Sequence, residues 1–431
     1  MSSLHLTRFV KQSPMETVLK IEKVVHRGLG LGRLDGKVWL VPFTAPFDVV
    51  RARAKEIKKG YIEGELLSIL EPSPLRVEPK CPYYGRCGGC HLQHINERSQ
   101  PDVKAQIVKE AFERAGLRDV EVSEIVSQSP WHYRHRASLH CANGVTGFYE
   151  MGSHKICEVS SCKICVPKIN DAIQTLKETL KDVPRADVEV SVDAKAQVFI
   201  VLRTDFPGAK KVAQTLFAKG AGRCVVIEHP SGRRTKIGNP DLCLKTWDEN
   251  GTEIEVVVFP TVFFQVNMGL NRTLVETVLK MLSPYCGKTV FEGYCGAGNF
   301  TVGLAKGGAK VVGVDTARDA LEGLDEALKK LGLDADLIIG DVAQVAQDFA
   351  KNRRTFDLVL LDPPRQGVHK ALKDIGKFGA QRIVMVSCEV STLARDVRFL
   401  CGFGYKVKRV VAIDMFPQTF HVETVCLLEV V

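Results

Sequence analysis

A doubly wound α/β sheet is predicted for the C-terminal part of this 431-residue chain, behind a small N-terminal β-barrel and a mixed α+β middle. Three observations predict it. From about residue 268, apolar runs of strand length alternate with amphipathic segments; the runs stop at glycines, serine or acidic residues; and the last two follow each other with no helix between them.

Residues 17 to 71 carry short alternating runs, VLKIEKVV, KVWLVPF, DVVRARAKEI and YIEGELLSIL, separated by turns with glycine or proline, the pattern of a small antiparallel barrel. The glycine-rich HRGLGLGRLDGK joins the first two runs. Three prolines in EPSPLRVEP predict a linker near 72 to 80. The middle, to about 260, mixes hairpin-like stretches such as ADVEVSVDAKAQVFIVLRT with cysteine-bearing loops. One helix, near 100–117, puts Ile107, Val108, Ala111, Phe112 and Ala115 on one face, which is expected to pack on the C-terminal domain. The expected domains are 16–72, 73–260 and 261–431.

In the last region KTVFEG, AKVVGVD, ADLIIGD, FDLVLLD and QRIVMVS read as strands followed by helices, and YKVKRVVAIDM and HVETVCLLEVV as a closing antiparallel pair. Ala317, Leu321, Leu324, Leu328 and Leu331 show the intervening helical step of three and four. Seven strands so arranged are the architecture of class I, Rossmann-like methyltransferases.

The composition, 45% hydrophobic and 25% charged, is that of an ordinary globular protein. MSSLHLTRFVKQSPMET has no apolar signal region and nowhere do 18 apolar residues run together, so a cytoplasmic protein with no membrane span is expected. Fourteen cysteines in such a chain point to a metal site or catalysis before disulfides. The net charge is +9, and residues 1–72 hold the densest excess, 12 basic side chains against 8 acidic, a weak pointer to nucleic acid.

In doubly wound sheets the ligand sits at the carboxyl ends of the strands. After the first comes GYCGAGNFT, where Gly296 and Gly298 permit close backbone approach and Thr301 replaces the third glycine of the dinucleotide fingerprint. The second strand ends at Asp315, placed for ribose hydroxyls, and the third at Asp341, placed for an adenine edge. Either acid alone is ordinarily a helix cap. Their order, followed by LLDPPRQGV with Asp362 facing the same crevice, favours S-adenosylmethionine over NAD. The fifth strand ends in Ser387-Cys388, a thiol beside the cofactor, and the last places Glu423 on one face with His421.

A second constellation is CPYYGRCGGCHLQH. Cys81, Cys87 and Cys90 have a spacing tight enough for one metal centre, and Cys157, Cys162 and Cys165 offer a fourth thiol. Spacing alone suits zinc as well as iron and sulfur. SPWHYRHRASLH interleaves aromatic and basic residues suited to RNA, with alternate positions expected to turn inward.

The stretches FFQVN, YCGAGNF, LDPPRQG, SCEVSTLARD and MFPQTFHVE resemble the signature set of the RNA uridine-5 methyltransferases, and the barrel resembles a TRAM domain, an OB-like RNA-binding module. The resemblance runs from about residue 16 to the end. It implies Cys388 as nucleophile and Glu423 as base, with Gln265, Tyr294, Asn299, Asp315, Asp341 and Asp362 around S-adenosylmethionine. It implies Cys162 as the fourth ligand, with Cys81, Cys87 and Cys90, of a [4Fe-4S] cluster in a central iron-sulfur domain. It favours 23S rRNA as substrate, with tRNA as runner-up; a monomer is expected. The chain departs from the family where Glu389-Val390 replace the usual Asn-Pro, at Gly293, and at Gln418 where histidine is usual.

The chemistry explains these residue types. Carbon 5 of uracil is a poor nucleophile, so a thiolate must add at carbon 6, and a base must later remove the carbon-5 proton. The uridine must leave its stack to be reached. Phe263 and Phe264 offer faces for it or belong to the core; Arg365 and Arg395 are phosphate partners or solvated surface. A non-catalytic, cluster-bearing RNA-binding or redox-sensing protein on this fold would need neither Cys388 nor Glu423.

Overall fold

The computed structural model describes residues 15–431; MSSLHLTRFVKQSP, read above for a signal sequence, lies outside them. Five strands close into a barrel in the order Glu16–Val25, Leu29–Leu34, Lys37–Pro42, Ile62–Glu71 and Val49–Ile57, the last paired back to the first. Inward-facing Leu19, Ile21, Trp39, Val41, Val50, Ala52 and Ile62 fill it. The strand Leu29–Leu34 needs glycine at Gly30, where a β-carbon would lie 1.9 Å from Thr44 Oγ1.

The proline-bearing stretch after the barrel is not a loose linker. Buried Asp48 accepts from the N–H groups of Ala45 (2.7 Å) and Ser73 (2.8 Å) and from Arg76 Nε (3.1 Å) and Nη2 (2.6 Å), so the departing chain stays tied down. Burial pushes the Asp48 carboxyl up, but the bonds from Arg76, Ala45 and Ser73 outweigh it and hold it below its ordinary value.

The middle forms a seven-stranded sheet, Arg234–Gly238, Cys224–Glu228, Val198–Arg203, Arg185–Val192, Arg136–Ala142, Val145–Tyr149 and Ile156–Glu158 in spatial order. Where a single helix was expected there are three, Gln100–Arg114, Pro167–Thr179 and Ala209–Ala218, the last two covering this sheet through Ile169, Ile173, Leu176, Ala213 and Leu216.

The C-terminal sheet runs Asp336–Ile339, Lys310–Asp315, Thr289–Gly293, Leu358–Leu361, Arg382–Ser387, Glu423–Val430, Tyr405–Ile413 and Val122–Val126. Its first five strands are parallel, and Glu423–Val430 runs antiparallel to both neighbours. Seven strands were expected; the eighth, Val122–Val126, comes from the middle of the chain and pairs in parallel with Tyr405–Ile413. The helix Gln100–Arg114 comes with it, its Ile107, Val108 and Phe112 buried in the same apolar core as Leu393, Val397 and Val410. Among the described residues no helix is long and apolar enough to cross a membrane.

Candidate active site

The strand order reverses between Thr289–Gly293 and Leu358–Leu361, and the site is built on the carboxyl ends there. The turn after Thr289–Gly293 depends on left-handed backbone at Gly296 (φ 52°) and Gly298 (φ 82°); a β-carbon on Gly298 would stand 2.3 Å from Leu324 Cδ1. Tyr294 is also left-handed (φ 65°), a strain that the surrounding structure must hold in place. Four of the six residues assigned to the methyl donor, Gln265, Tyr294, Asn299 and Asp362, line one cavity of about 80 Å³. Asn299 is oriented by a reciprocal amide pair with Asn271, at 2.8 and 3.0 Å.

The other two stand apart from the lining. Asp315 accepts from the N–H groups of Gly296 (2.9 Å) and Ala317 (2.8 Å), so it braces the glycine turn from behind. Asp341 caps the helix Val342–Lys351 with Oδ1, accepting from Ala343 and Gln344. Sequence reasoning passed over Glu292, one residue from the end of its strand. It is buried, Oε2 accepts from Thr301 Oγ1 at 2.8 Å, Oε1 has no partner, and burial raises its carboxyl to about 8. The sequence carried only one acid within KTVFEG, which reads equally as a strand edge.

Cys388 and Glu423 face each other. Ser387 pairs with Thr424 across the antiparallel strands, so the next pair outward is Cys388 and Glu423. Glu423 is buried and Cys388 half-buried. Burial, then the charges of Glu423 and Asp362, push the Cys388 thiol up to about 12, while the neighbouring Arg365 guanidinium works the other way. Burial raises Asp362 to about 7; burial, then Asp362, drives Glu423 well above the carboxylate range. Crowding Asp362, Cys388 and Glu423 into one low-dielectric place disfavours the charged form of each. Arg365 Nη2 also lies 3.4 Å from His421 Nε2, and burial with the nearby Arg365 keeps that imidazole neutral, at about 3.

Both phenylalanines line the cavity, with Arg136 5.5 Å from the Phe263 ring and 5.4 Å from that of Phe264; Phe264 is buried in the core as well, whereas Phe263 is 65% exposed. In SPWHYRHRASLH the inward turn dominates. Tyr133 is buried and donates to the Pro417 carbonyl, and Arg136 is held by Glu189 (2.7 Å) and the Val262 carbonyl.

Cys81, Cys87, Cys90, Cys162 and Cys165 line a second cavity, of about 150 Å³, with Tyr84 and Arg134. All fourteen cysteines are free thiols. Among the described residues no three Cys, His, Asp or Glu side chains close on a point that would hold a single metal ion. Burial raises Cys87 to about 11 and Cys90 to about 12, whereas a hydrogen bond from Cys165 brings Cys162 down to about 6.

A family model described as tRNA (Uracil-5-)-methyltransferase matches residues 341–431, one for a methyltransferase domain matches 290–376, and one for the TRAM domain matches 17–67. The 23S rRNA (uracil(1939)-C(5))-methyltransferase RlmD of Shewanella amazonensis is 31% identical over 98% of this chain and 97% of its own length. An uncharacterized RNA methyltransferase of Aquifex aeolicus is 30% identical over 98% and 100%. The crystal structure of Pyrococcus abyssi tRNA (uracil-54, C5)-methyltransferase, in complex with S-adenosyl-L-homocysteine, superposes with a TM-score of 0.74 at 26% identity, covering 96% of this chain and 100% of that one.

Proposed function

Because this chain belongs to the RNA (uracil-5-)-methyltransferase family, we propose that it methylates a uridine of 23S rRNA through a covalent adduct on Cys388. As a member of that family the protein is an S-adenosylmethionine-dependent RNA uracil-5 methyltransferase with a TRAM domain. The observation that carries the finer one is the opposition of Cys388 and Glu423 at the ends of adjacent strands, beside the cavity that Asp362 lines.

S-adenosylmethionine supplies the methyl group and a positive sulfonium. Gln265, Tyr294, Asn299 and Asp362, which line the cavity, would hold it, with Asp315 toward its ribose and Asp341 toward its adenine edge. The Cys388 thiol gives up its proton to water, its thiolate adds to carbon 6 of the uracil, and the electron pair so placed on carbon 5 takes the methyl group from the sulfonium, which departs as S-adenosylhomocysteine. Glu423 takes the carbon-5 proton, the double bond re-forms and the sulfur leaves. Arg365 stands where it favours the thiolate. A binding protein would need none of this opposition.

Ribosomal RNA is favoured over tRNA because 23S rRNA enzymes match across the full chain at 31% identity. Transfer RNA is the second reading, supported by the fold shared with the tRNA enzyme of Pyrococcus abyssi. Mass mapping of 5-methyluridine in both RNA pools from a deletion strain decides it: loss from 23S rRNA is expected, and loss from tRNA alone would establish the second reading.

The proposal extends to a [4Fe-4S] cluster on Cys81, Cys87, Cys90 and Cys162. What supports it is that all four thiols are free and line one cavity, at the spacing read from the sequence. Methyl transfer needs no electrons from such a group, so its role is structural or RNA-orienting. Anaerobically purified protein is expected to be brown with about four irons per chain; one zinc and no colour would refute it.

A further inference from the structure

We infer that the crevice where the barrel, the helix Gln100–Arg114 and the start of the helix Val390–Cys401 meet takes up a nucleotide of the RNA adjoining the target uridine. The inference rests on the uridine-methylation reading above. The crevice, of about 240 Å³, is walled by Val25 and His26 of the barrel, Ile107 and Ala111 of the helix, and Val390 and Ser391 beyond Cys388. Val25, Ile107 and Val390 are buried and give it an apolar floor. Guanidinium groups mark its rim: Arg114 and Arg395, with side chains 63% and 46% exposed, border it, Arg395 paired with Asp396 at 2.7 Å, and Arg27 is exposed on the barrel loop that carries His26. The carboxylate within, Glu110, is already engaged by Lys23 (2.8 Å) and Arg114 (3.3 Å). An apolar slot with guanidinium groups at its mouth suits a planar base whose phosphate stays outside.

Two further observations point the same way. Val390 is two residues past Cys388, at most about 7 Å along the chain, a span that one sugar-phosphate step covers. The barrel loop is also bent toward the site by consecutive left-handed residues, Arg27 (φ 66°) and Gly28 (φ 71°), of which only the second is a glycine. This bend packs His26 edge-on against Phe420, with ring centroids 5.3 Å apart. When a target base leaves its stack its neighbours lose a stacking face. The crevice restores one, and with it a preference for the flanking sequence.

The test uses the RNA fragment in which the wild-type protein methylates a uridine, remade with one abasic nucleotide at each of the positions flanking that uridine. One abasic position is expected to raise KM about tenfold. Ala111→Trp, which fills the crevice, is expected to raise KM for the intact fragment comparably and to make the abasic substitution silent, the non-additivity of two changes at one contact. Arg114→Gln, on an exposed position, is expected to weaken RNA binding and lower its salt slope. The inference is overturned if Ala111→Trp, shown to be folded by wild-type affinity for S-adenosylmethionine, and Arg114→Gln both keep wild-type KM, or if no flanking abasic site matters. Should the wild-type protein methylate no uridine in any RNA, the family reading falls and takes this inference with it.

Discussion

Lys104 and Asp414, 310 residues apart in the chain, form an ion pair at 2.5 Å with side chains 0% and 2% exposed. Lys104 also donates to the Phe416 carbonyl at 3.0 Å, and Gln100, one turn earlier, exchanges hydrogen bonds of 3.0 Å with Gln418. The helix therefore grips the loop that leads into Glu423. Removing one partner strands the other: Lys104→Met is expected to cost about 3–5 kcal/mol in urea unfolding, and the double substitution with Asp414→Leu to recover most of it. A small loss in the single variant would show that water reaches the pair.

The opposition of Cys388 and Glu423 predicts a trap. With target RNA and S-adenosylmethionine, Glu423→Gln keeps the shape but not the basicity, and is expected to accumulate a methylated protein–RNA adduct that survives denaturing electrophoresis. Cys388→Ala should give neither product nor adduct. Adduct from the Glu423→Gln, Cys388→Ala double variant would mean that another cysteine attacks.

Proton release is expected when the methyl donor binds. Asp362 at about 7 and Glu292 at about 8 hold protons near neutrality because their folded values are raised. A cationic ligand favours the ionised forms, so affinity should rise as pH climbs from about 6 to about 8 and fall as it drops. Calorimetry in buffers of different ionisation enthalpy measures the protons, and Glu292→Gln should release fewer. An affinity indifferent to pH over that range would rule the coupling out.

Asp315→Ala is expected to weaken S-adenosylmethionine binding by about 1.5–3 kcal/mol, since it removes an ionised acceptor. It also frees the Gly296 N–H, which Asp315 holds at 2.9 Å. Equal affinity in both proteins by titration calorimetry would remove Asp315 from the site.

The barrel's exit is acid-sensitive. Asp48 has a depressed carboxyl, so its contribution to stability is complete above the unfolded value of about 3.9 and disappears as pH falls through the folded one. Asp48→Asn should lower thermal stability at pH 7 and narrow the difference from wild type near pH 2. A difference that stays constant with pH would mean that the carboxylate's charge is irrelevant there.

What the sequence made legible follows from what periodicity encodes. Carboxyl ends of strands in a doubly wound sheet mark the ligand side, so Asp362 and Cys388 could be placed there from a one-dimensional pattern, whereas Glu423, at the start of an antiparallel strand, was singled out by the family resemblance. Glu292 could not, because one acid inside KTVFEG resembles a strand edge, and its burial comes from neighbours distant in sequence. Lys104 carries no local sign that it is enclosed, since its partner is an aspartate more than 300 residues on. The strand Val122–Val126 has five residues, too few for alternation to stand out, and its pairing partner comes from the other end of the chain. EPSPLRVEP reads as a hinge by composition, yet the acid that immobilises it lies in the barrel.

The borrowed strand sets a timetable for biosynthesis. Val122–Val126 leaves the ribosome roughly 280 residues before Tyr405–Ile413, its pairing partner, an interval of about 15–60 s at ordinary elongation rates. Throughout that interval its backbone groups have no partner in the finished sheet, and the buried face of the helix Gln100–Arg114 lacks the segments that will cover it. The nascent chain must be shielded, or must pair provisionally, until its last strands emerge. A gene fragment encoding only residues 261–431 would likewise leave Tyr405–Ile413 as an open edge, a template for association between copies. The catalytic unit is thus contiguous in space but not in the gene.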